Sequence, residues 1–224
     1  TDVSEPRSLM AYEIPLIVEE YRQAAVNAKK AGFDMVEIHA ANGYLIDQFL
    51  RDSSNVRADN YGGSIQNRTR LLLEIIDAVS TIYTPNRIGC RIGPSSEFND
   101  IQDSDPQTLF NFVAEQLGRK SLGYIHVIEG QTGGDRNSEI FDYNKIYQTF
   151  KMHGGIASMA NNGYDKHLAE TTSVDLVAFG VPFIANPDLV YRLEHDLPLV
   201  DADKATFYGG TEKGYSDYSF YSKE

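Results

Sequence analysis

The sequence contains a single cysteine, Cys90, which excludes an internal disulfide and leaves a structural zinc site without a second thiolate ligand. Cys90 lies in the apolar run Ile88–Ile92, so we expect a small buried residue rather than a reactive thiol. This cysteine usage predicts a reducing, cytoplasmic compartment. The histidines outside the site described below are scattered without ligand spacing, and we therefore expect no metal site: His126, His153, His167 and His195.

Long hydrophobic runs are lacking too. No stretch approaches the roughly 18 apolar residues of a membrane-spanning helix, and the first residues have neither the basic nor the apolar region of a signal peptide, so no membrane role is expected. Positive charge is scarce, with 20 Lys and Arg against 32 Asp and Glu, a formal net charge of −12. This excess repels phosphate backbones, and no basic stripe offsets it, so nucleic acid is not an expected partner.

What the chain does contain is an alternation of strand and helix patterns. Predicted strands lie at 35–39, 88–92, 124–128, 156–160 and 176–179. Predicted helices lie at 12–31, about 65–83, 106–118, about 142–152, in a short segment that contains Leu168 and Ala169, and from 186–187 to about 195. Asp105 and Asp165 are the predicted N-terminal caps of the third and the fifth of these helices. The alternation is typical of parallel strands joined by helical crossovers. No linker or composition break divides it, so we predict one domain over 1–224.

Two α/β architectures fit this alternation. A doubly wound sheet is the default for five strands, because a closed barrel needs eight. In both architectures the chemistry lies at the carboxyl ends of the strands. The polar or glycine-containing positions found there are His39, Asn42, Tyr44, Arg91, Glu129, Asn162, Gly163, Phe179 and Gly180.

The stretch 33–50 carries the strongest site signal, since His39, Asn42 and Tyr44 follow the first strand within six residues. His39 and Asn42 are donors that could hold a carbonyl or nitro oxygen and stabilise negative charge on it. A tyrosine hydroxyl is protonated at neutral pH and is suited to donate a proton. A structural role for each of the three is the alternative.

Two further turns, Asn162-Gly163 and Phe179-Gly180, lie between a strand and a helix and could offer backbone N–H groups to a phosphate. Glycine-rich turns are common, so an ordinary loop is the alternative. A serine nucleophile is not expected, because the sequence has no Gly-x-Ser-x-Gly elbow.

Several longer motifs make the chain resemble the old yellow enzyme family of FMN-dependent ene-reductases. They are AGFDMVEIHAANGYLIDQFL (31–50), SSNVRADNYGGSIQNR (53–68), RIGP (91–94), AFGVPFIANPDLV (178–190), FYGG (207–210) and GYSDY (214–218). These motifs are long, keep the family's order and span nearly the whole chain.

The resemblance implies a (β/α)₈ TIM barrel, of which this chain supplies about the last five β/α units. It also implies FMN as the cofactor, NADPH or NADH as the reductant, and an activated alkene such as an enone, maleimide or nitroalkene as the substrate. His39 and Asn42 match the pair that grips the activating oxygen, and Tyr44 matches the proton donor. Arg91 matches a cation beside the flavin ring. Other matching positions are Asn162, Gly163, Phe179 and Gly180 for the FMN phosphate, and Phe207 and Tyr208 for the substrate pocket.

The chain departs from the family in two respects. Val181 stands where many members have an arginine that pairs with the FMN phosphate. The pattern of the first three barrel strands has no counterpart, so five strands would leave unpaired sheet edges. We expect the missing N-terminal portion of the barrel, supplied by a longer or cleaved protein, to complete the chain, with self-association as the alternative.

Two other functions compete with the flavin ene-reductase. One is a flavin-free, inactive half-barrel fragment or interaction protein, which Val181 and the missing strands favour. The other is a non-redox barrel enzyme that binds a phosphorylated substrate on the two glycine turns.

Overall fold

The computed structural model describes residues 5–133, 136 and 141–222, in which strands and α-helices alternate. The strands are β1 (Val36–Ala40), β2 (Ile88–Ile92), β3 (Tyr124–Ile128), β4 (Ala157–Asn161) and β5 (Leu176–Ala178). The helices are α1 (Ile14–Lys30), α2 (Leu45–Leu50), α3 (Ile65–Ser80), α4 (Pro106–Arg119), α5 (Tyr143–Met152), α6 (Lys166–Thr171), α7 (Val181–Ala185) and α8 (Leu189–Glu194). Short 3₁₀ turns cover Pro85–Arg87 and Lys204–Thr206.

The predicted order of elements is confirmed, and β2 and β3 have the predicted bounds. The predicted N-terminal caps are confirmed as well: Asp105 and Asp165 accept hydrogen bonds from the N–H groups of Thr108 and Leu168 at 3.1 and 2.8 Å. The helices α2 and α7 were missed. They have six and five residues, too few for a helical period to stand out in the sequence.

The strands follow one another across the sheet in the order β1-β2-β3-β4-β5, and β1 to β4 pair in parallel. A doubly wound sheet reverses its strand order at a switch point, whereas a barrel adds each strand beside the previous one. The doubly wound default is therefore wrong, and the partial (β/α)₈ barrel is confirmed.

Strand pairing sorts side chains into rows on the two faces of the sheet. One row, formed by Ile38, Cys90, Ile125 and Ser158 in register, is buried, with Cys90 0% exposed. This burial confirms the predicted small buried residue, and it raises the pKa of the Cys90 thiol. The neighbouring row, His39, Arg91, His126 and Met159, lies on the opposite face because side chains alternate along a strand.

The chain divides into two compact units, Thr1–Gly163 with Val174–Leu176, and Tyr164–Ser173 with Val177–Glu224. In the second unit, the buried Arg192 pairs with Asp188 at 2.7 Å and donates to the carbonyls of Pro198 and Ser219. These bonds attach the C-terminal tail to α8. The single domain over 1–224 stays a prediction.

No helix in the described part of the chain combines the length and the apolar character needed to cross a bilayer.

A buried ion pair links the loop after β1 to the turn after β2. Arg51 and Asp47 are 2% and 1% exposed, and Arg51 Nε lies 2.9 Å from Asp47 Oδ1. The other guanidinium nitrogens donate to the carbonyls of Gly93 and Pro94 at 2.5 and 3.1 Å. Asp47 Oδ2 accepts from the N–H of Gly43 at 3.0 Å. The pair therefore fixes two neighbouring loops at the carboxyl end of the sheet.

Replacing Asp47 by Ala leaves the Arg51 guanidinium buried without its counter-charge, so we expect the free energy of unfolding to fall by about 3–5 kcal/mol. Urea denaturation would measure this loss. The matched control is Glu115→Ala, which breaks an ion pair of the same spacing with Arg119 on the exposed face of α4 and should cost about 0.5 kcal/mol or less. Equal losses in the two variants would contradict a structural role for the buried pair.

Candidate active site

The carboxyl end of β1 brings His39 and Tyr44 together. Their ring centroids are 5.5 Å apart with the planes inclined by 51°. His39 is half-buried on β1, whereas Tyr44 directly precedes α2, makes no capping hydrogen bond with its side chain and is 54% exposed. The two side chains therefore present a ring nitrogen and a phenol at one edge of the sheet, where a ligand can reach the phenol from solvent.

Asn42 lies between them on a turn with a left-handed backbone, φ 59°, which asparagine tolerates better than most residues. Its side-chain oxygen accepts from Thr132 Oγ1 at 2.8 Å, and its backbone carbonyl accepts from Asn99 Nδ2 at 2.9 Å. The next residue, Gly43, must lack a side chain, because a Cβ there would lie 2.8 Å from the carbonyl oxygen of Phe98. The loops after β2 and β3 thus hold the turn.

Arg91 follows in register beside His39, on the same face of the sheet. Its Nη2 donates to Asn161 Oδ1 at 3.0 Å, while its buried Nε has no hydrogen-bond partner among the described residues. Burial lowers the pKa of the guanidinium, and the Glu37 carboxylate opposes that shift. The site therefore contains a cation with one buried donor directed at no described protein acceptor.

Sequence reasoning missed a polar cluster formed by His126, in the row of His39 and Arg91, with Glu37 and Tyr124 of the adjacent row on the same face. His126 Nδ1 lies 2.9 Å from Glu37 Oε2, and the other ring nitrogen is buried without a described partner. Tyr124 crosses Gly89, where a Cβ would lie 2.1 Å from its ring. Burial, followed by the Glu37 charge, raises the pKa of Tyr124. The available signal was the alternation of polar residues in β1 and β3, which places them on the face that carries Arg91.

The electrostatics of this face keep His39 neutral. Burial lowers the pKa of His39 from its ordinary value of 6.5, and the Arg91 charge lowers it further, while Glu37 and Asp47 act in the opposite direction. With the pKa below 6.5, the imidazole is predominantly uncharged at neutral pH. One of its nitrogens then carries a hydrogen that can be donated to a ligand.

Asn162 and Gly163 follow β4 with left-handed backbones, φ 96° and 62°. The Asn162 amide nitrogen donates to the carbonyls of Glu129 and Gln131 at 2.6 and 2.9 Å. Both of its amide hydrogens are therefore engaged in holding the loop after β3. The Asn162 side chain therefore has no amide hydrogen left for a phosphate, and the donors that this turn can offer to one are its backbone N–H groups.

The remaining predicted positions belong to the second unit. Phe179 and Gly180 connect β5 to α7, and a Cβ at Gly180 would meet nothing within 4 Å. Sterics therefore do not require glycine at this position. The rings of Phe207 and Tyr208 lie 6.5 Å apart at 70°, and Tyr208 is 93% exposed.

The sequence of this chain is similar to those of known proteins. The sequence profile of the NADH:flavin oxidoreductase / NADH oxidase family matches residues 1–200. A putative 12-oxophytodienoate reductase 5 of Oryza sativa subsp. japonica is 42% identical, over 99% of this chain and 60% of the relative. A probable flavin mononucleotide-dependent alkene reductase of Leishmania infantum is 41% identical, over 96% of this chain and 58% of the relative.

A solved structure supports the same relationship. Morphinone reductase in complex with tetrahydroNAD superimposes with a TM-score of 0.89 at 41% identity, over 99% of this chain and 60% of that one. The chain thus spans about 60% of the length of the relatives it matches. Both the sequence profile and the superposition show that the chain belongs to the NADH:flavin oxidoreductase / NADH oxidase family.

Proposed function

We propose that this chain forms the substrate-binding and proton-donating part of an FMN-dependent ene-reductase, which transfers hydride from NADPH or NADH to the C=C bond of activated alkenes such as enones, maleimides and nitroalkenes. One observation carries the proposal. The ring centroids of His39 and Tyr44 lie 5.5 Å apart at a strand end, where His39 is in register with the half-buried Arg91. The names of the relatives, which include an alkene reductase, support it.

The described residues fit FMN in one specific respect. Arg91 offers a buried Nε–H that no described acceptor engages, and an isoalloxazine ring is rich in acceptors. We propose Arg91 beside the ring, and the backbone of Asn162, Gly163, Phe179 and Gly180 at the phosphate. When bound, FMN supplies the hydride that it receives from the nicotinamide.

His39 and Asn42 act on the activating oxygen of the alkene. A neutral His39 donates one N–H and Asn42 donates from Nδ2, so that two donors face the oxygen on which negative charge develops. Donors already fixed in place stabilise that charge without reorganising. We propose that Phe207 and Tyr208 line the substrate side of the pocket.

Tyr44 acts as the proton donor. Its phenol holds a proton at Oη and transfers it to the α-carbon as hydride reaches the β-carbon. Because the side chain is 54% exposed, solvent can return the proton after each turnover.

We further propose that other strands complete the barrel. Among the described strands, β1 pairs with β2 alone, which leaves the outer edge of β1 with unpaired N–H and C=O groups. Polypeptide corresponding to the part of the relatives that this chain does not span would pair with that edge, and a second copy of the chain is the alternative partner. The cytoplasmic location stays a prediction.

A flavin-free half-barrel is the second candidate, and Val181 favours it. This valine begins α7 and is 56% exposed, so it offers an apolar side chain where many members of the family offer a cation. The two candidates differ in whether the assembled protein retains flavin.

An absorption spectrum tests the proposed function. We expect the completed assembly to show the yellow flavin band, to bleach with NADPH and to recover its colour with 2-cyclohexenone. An assembly that stays colourless after FMN is added would overturn the ene-reductase and leave the flavin-free half-barrel.

Size-exclusion chromatography with intact mass tests the partner. We expect the chain to elute in a larger complex, or to gain flavin binding only after the completing polypeptide is added. A monodisperse 25 kDa monomer that binds FMN by itself would contradict the partner proposal.

Replacing Tyr44 by Phe removes the transferred proton, so we expect alkene reduction to slow by about 10²- to 10⁴-fold while flavin reduction by NADPH is unchanged. Stopped-flow measurement of the two half-reactions separates these effects. Tyr12→Phe is the matched control, because Tyr12 is 76% exposed near the start of α1 and should affect neither half-reaction. Equal slowing of both half-reactions in Tyr44→Phe would exclude the proton-donor role.

A further inference from the structure

The side-chain oxygen of Asn42 ends a short series of hydrogen bonds that begins at two backbone N–H groups. Thr132 Oγ1 lies 2.8 Å from Asn42 Oδ1, and Ser96 Oγ lies 2.8 Å from Thr132 Oγ1. The backbone N–H groups of Thr132 and Phe98 donate to Ser96 Oγ at 3.2 and 3.4 Å. The series therefore joins the loops that follow β1, β2 and β3.

Counting hydrogens fixes the direction of the hydrogen bond between Ser96 and Thr132. A serine hydroxyl has one hydrogen and two lone pairs, and both lone pairs of Ser96 accept backbone N–H groups. Its hydrogen is therefore donated, and Thr132 Oγ1 is the acceptor at 2.8 Å. Thr132 Oγ1 has one hydrogen of its own, and Asn42 Oδ1, 2.8 Å away, is the acceptor to which it donates.

We propose that Ser96 and Thr132 are positioning residues that hold the Asn42 amide in one of its two orientations, with Oδ1 toward Thr132 and the Nδ2 hydrogens toward the ligand. The amide oxygen and nitrogen have nearly the same shape, so packing alone selects neither orientation and hydrogen bonds decide. The reversed amide would place an acceptor oxygen against the acceptor oxygen of the ligand. The orientation stands on the hydrogen bonds alone, whereas its effect on alkene binding rests on the proposed function.

The surroundings of Asn42 make this selection effective. Its backbone is fixed in the left-handed region, and its carbonyl is held by Asn99 Nδ2 at 2.9 Å. Ser96 is 1% exposed, so water does not compete for its hydroxyl. Rotation of the Asn42 side chain is the freedom that remains, and Thr132 restricts it.

Neutron diffraction from deuterated crystals of the chain, or of its completed assembly, tests the orientation directly. We expect two deuterons on the Asn42 amide atom that faces away from Thr132, and one deuteron on Thr132 Oγ1 directed at Asn42. Deuterons on the amide atom nearest Thr132 would overturn the proposal. This result does not depend on any activity, so it stays decisive even if the protein reduces no alkene.

Substitutions at Thr132 test the consequence for binding. Thr132→Val keeps the shape and removes the hydroxyl, and we expect the KM for 2-cyclohexenone to rise by about 3- to 10-fold, the usual equivalent of one neutral hydrogen bond. Thr132→Ser restores the hydroxyl and should recover most of the lost affinity.

The matched control is Thr171→Val, the same substitution at an exposed residue of α6, which should leave the KM unchanged. Equal KM values for Thr132→Val and the unsubstituted protein, or equal losses in Thr132→Val and Thr132→Ser, would overturn the positioning role. An assembly without any alkene reduction would instead refute the proposed function. The positioning of the Asn42 amide would then be tested by the neutron diffraction result alone.

Discussion

The buried ion pair between Asp47 and Arg51 is the interaction on which the rest of the site depends. It connects the backbone of Gly43 to the carbonyls of Gly93 and Pro94, and so ties the loop after β1 to the turn after β2. A charge buried this deeply tolerates few arrangements, because each ion requires its partner in place. Asp47 lies in α2 and Arg51 directly follows that helix, and together they fix the loop that carries Asn42 and Tyr44.

Strand register is the second constraint. His39, Arg91 and His126 occupy matching positions on three parallel strands, so one face of the sheet carries a polar row while the other is apolar. A slip of one residue in any strand would exchange the two faces, placing an imidazole or a guanidinium among aliphatic side chains. The cost of that exchange keeps the polar groups of the site beside one another.

Features set by residues close together in the sequence could be predicted, whereas contacts between residues far apart in the sequence could not. The bounds of β2 and β3 and the caps at Asp105 and Asp165 follow from neighbouring residues, and they were confirmed. The pair of Glu37 with His126, 89 residues apart, and the contact of Thr132 with Asn42, 90 residues apart, were not foreseen, because no local pattern records which loops meet. Barrel topology came from motif resemblance, since strand count alone favoured a doubly wound sheet. The catalytic roles of His39, Asn42 and Tyr44 stay predictions.

The crossing of Gly89 by the Tyr124 ring makes the residue choices at these two positions depend on each other, although they are far apart in the sequence. A side chain at position 89 would occupy the space of that ring, so a larger residue there is tolerated only when position 124 becomes smaller. A change at either position therefore alters what the other can accommodate. In a redesign of this face of the sheet, positions 89 and 124 have to be changed together.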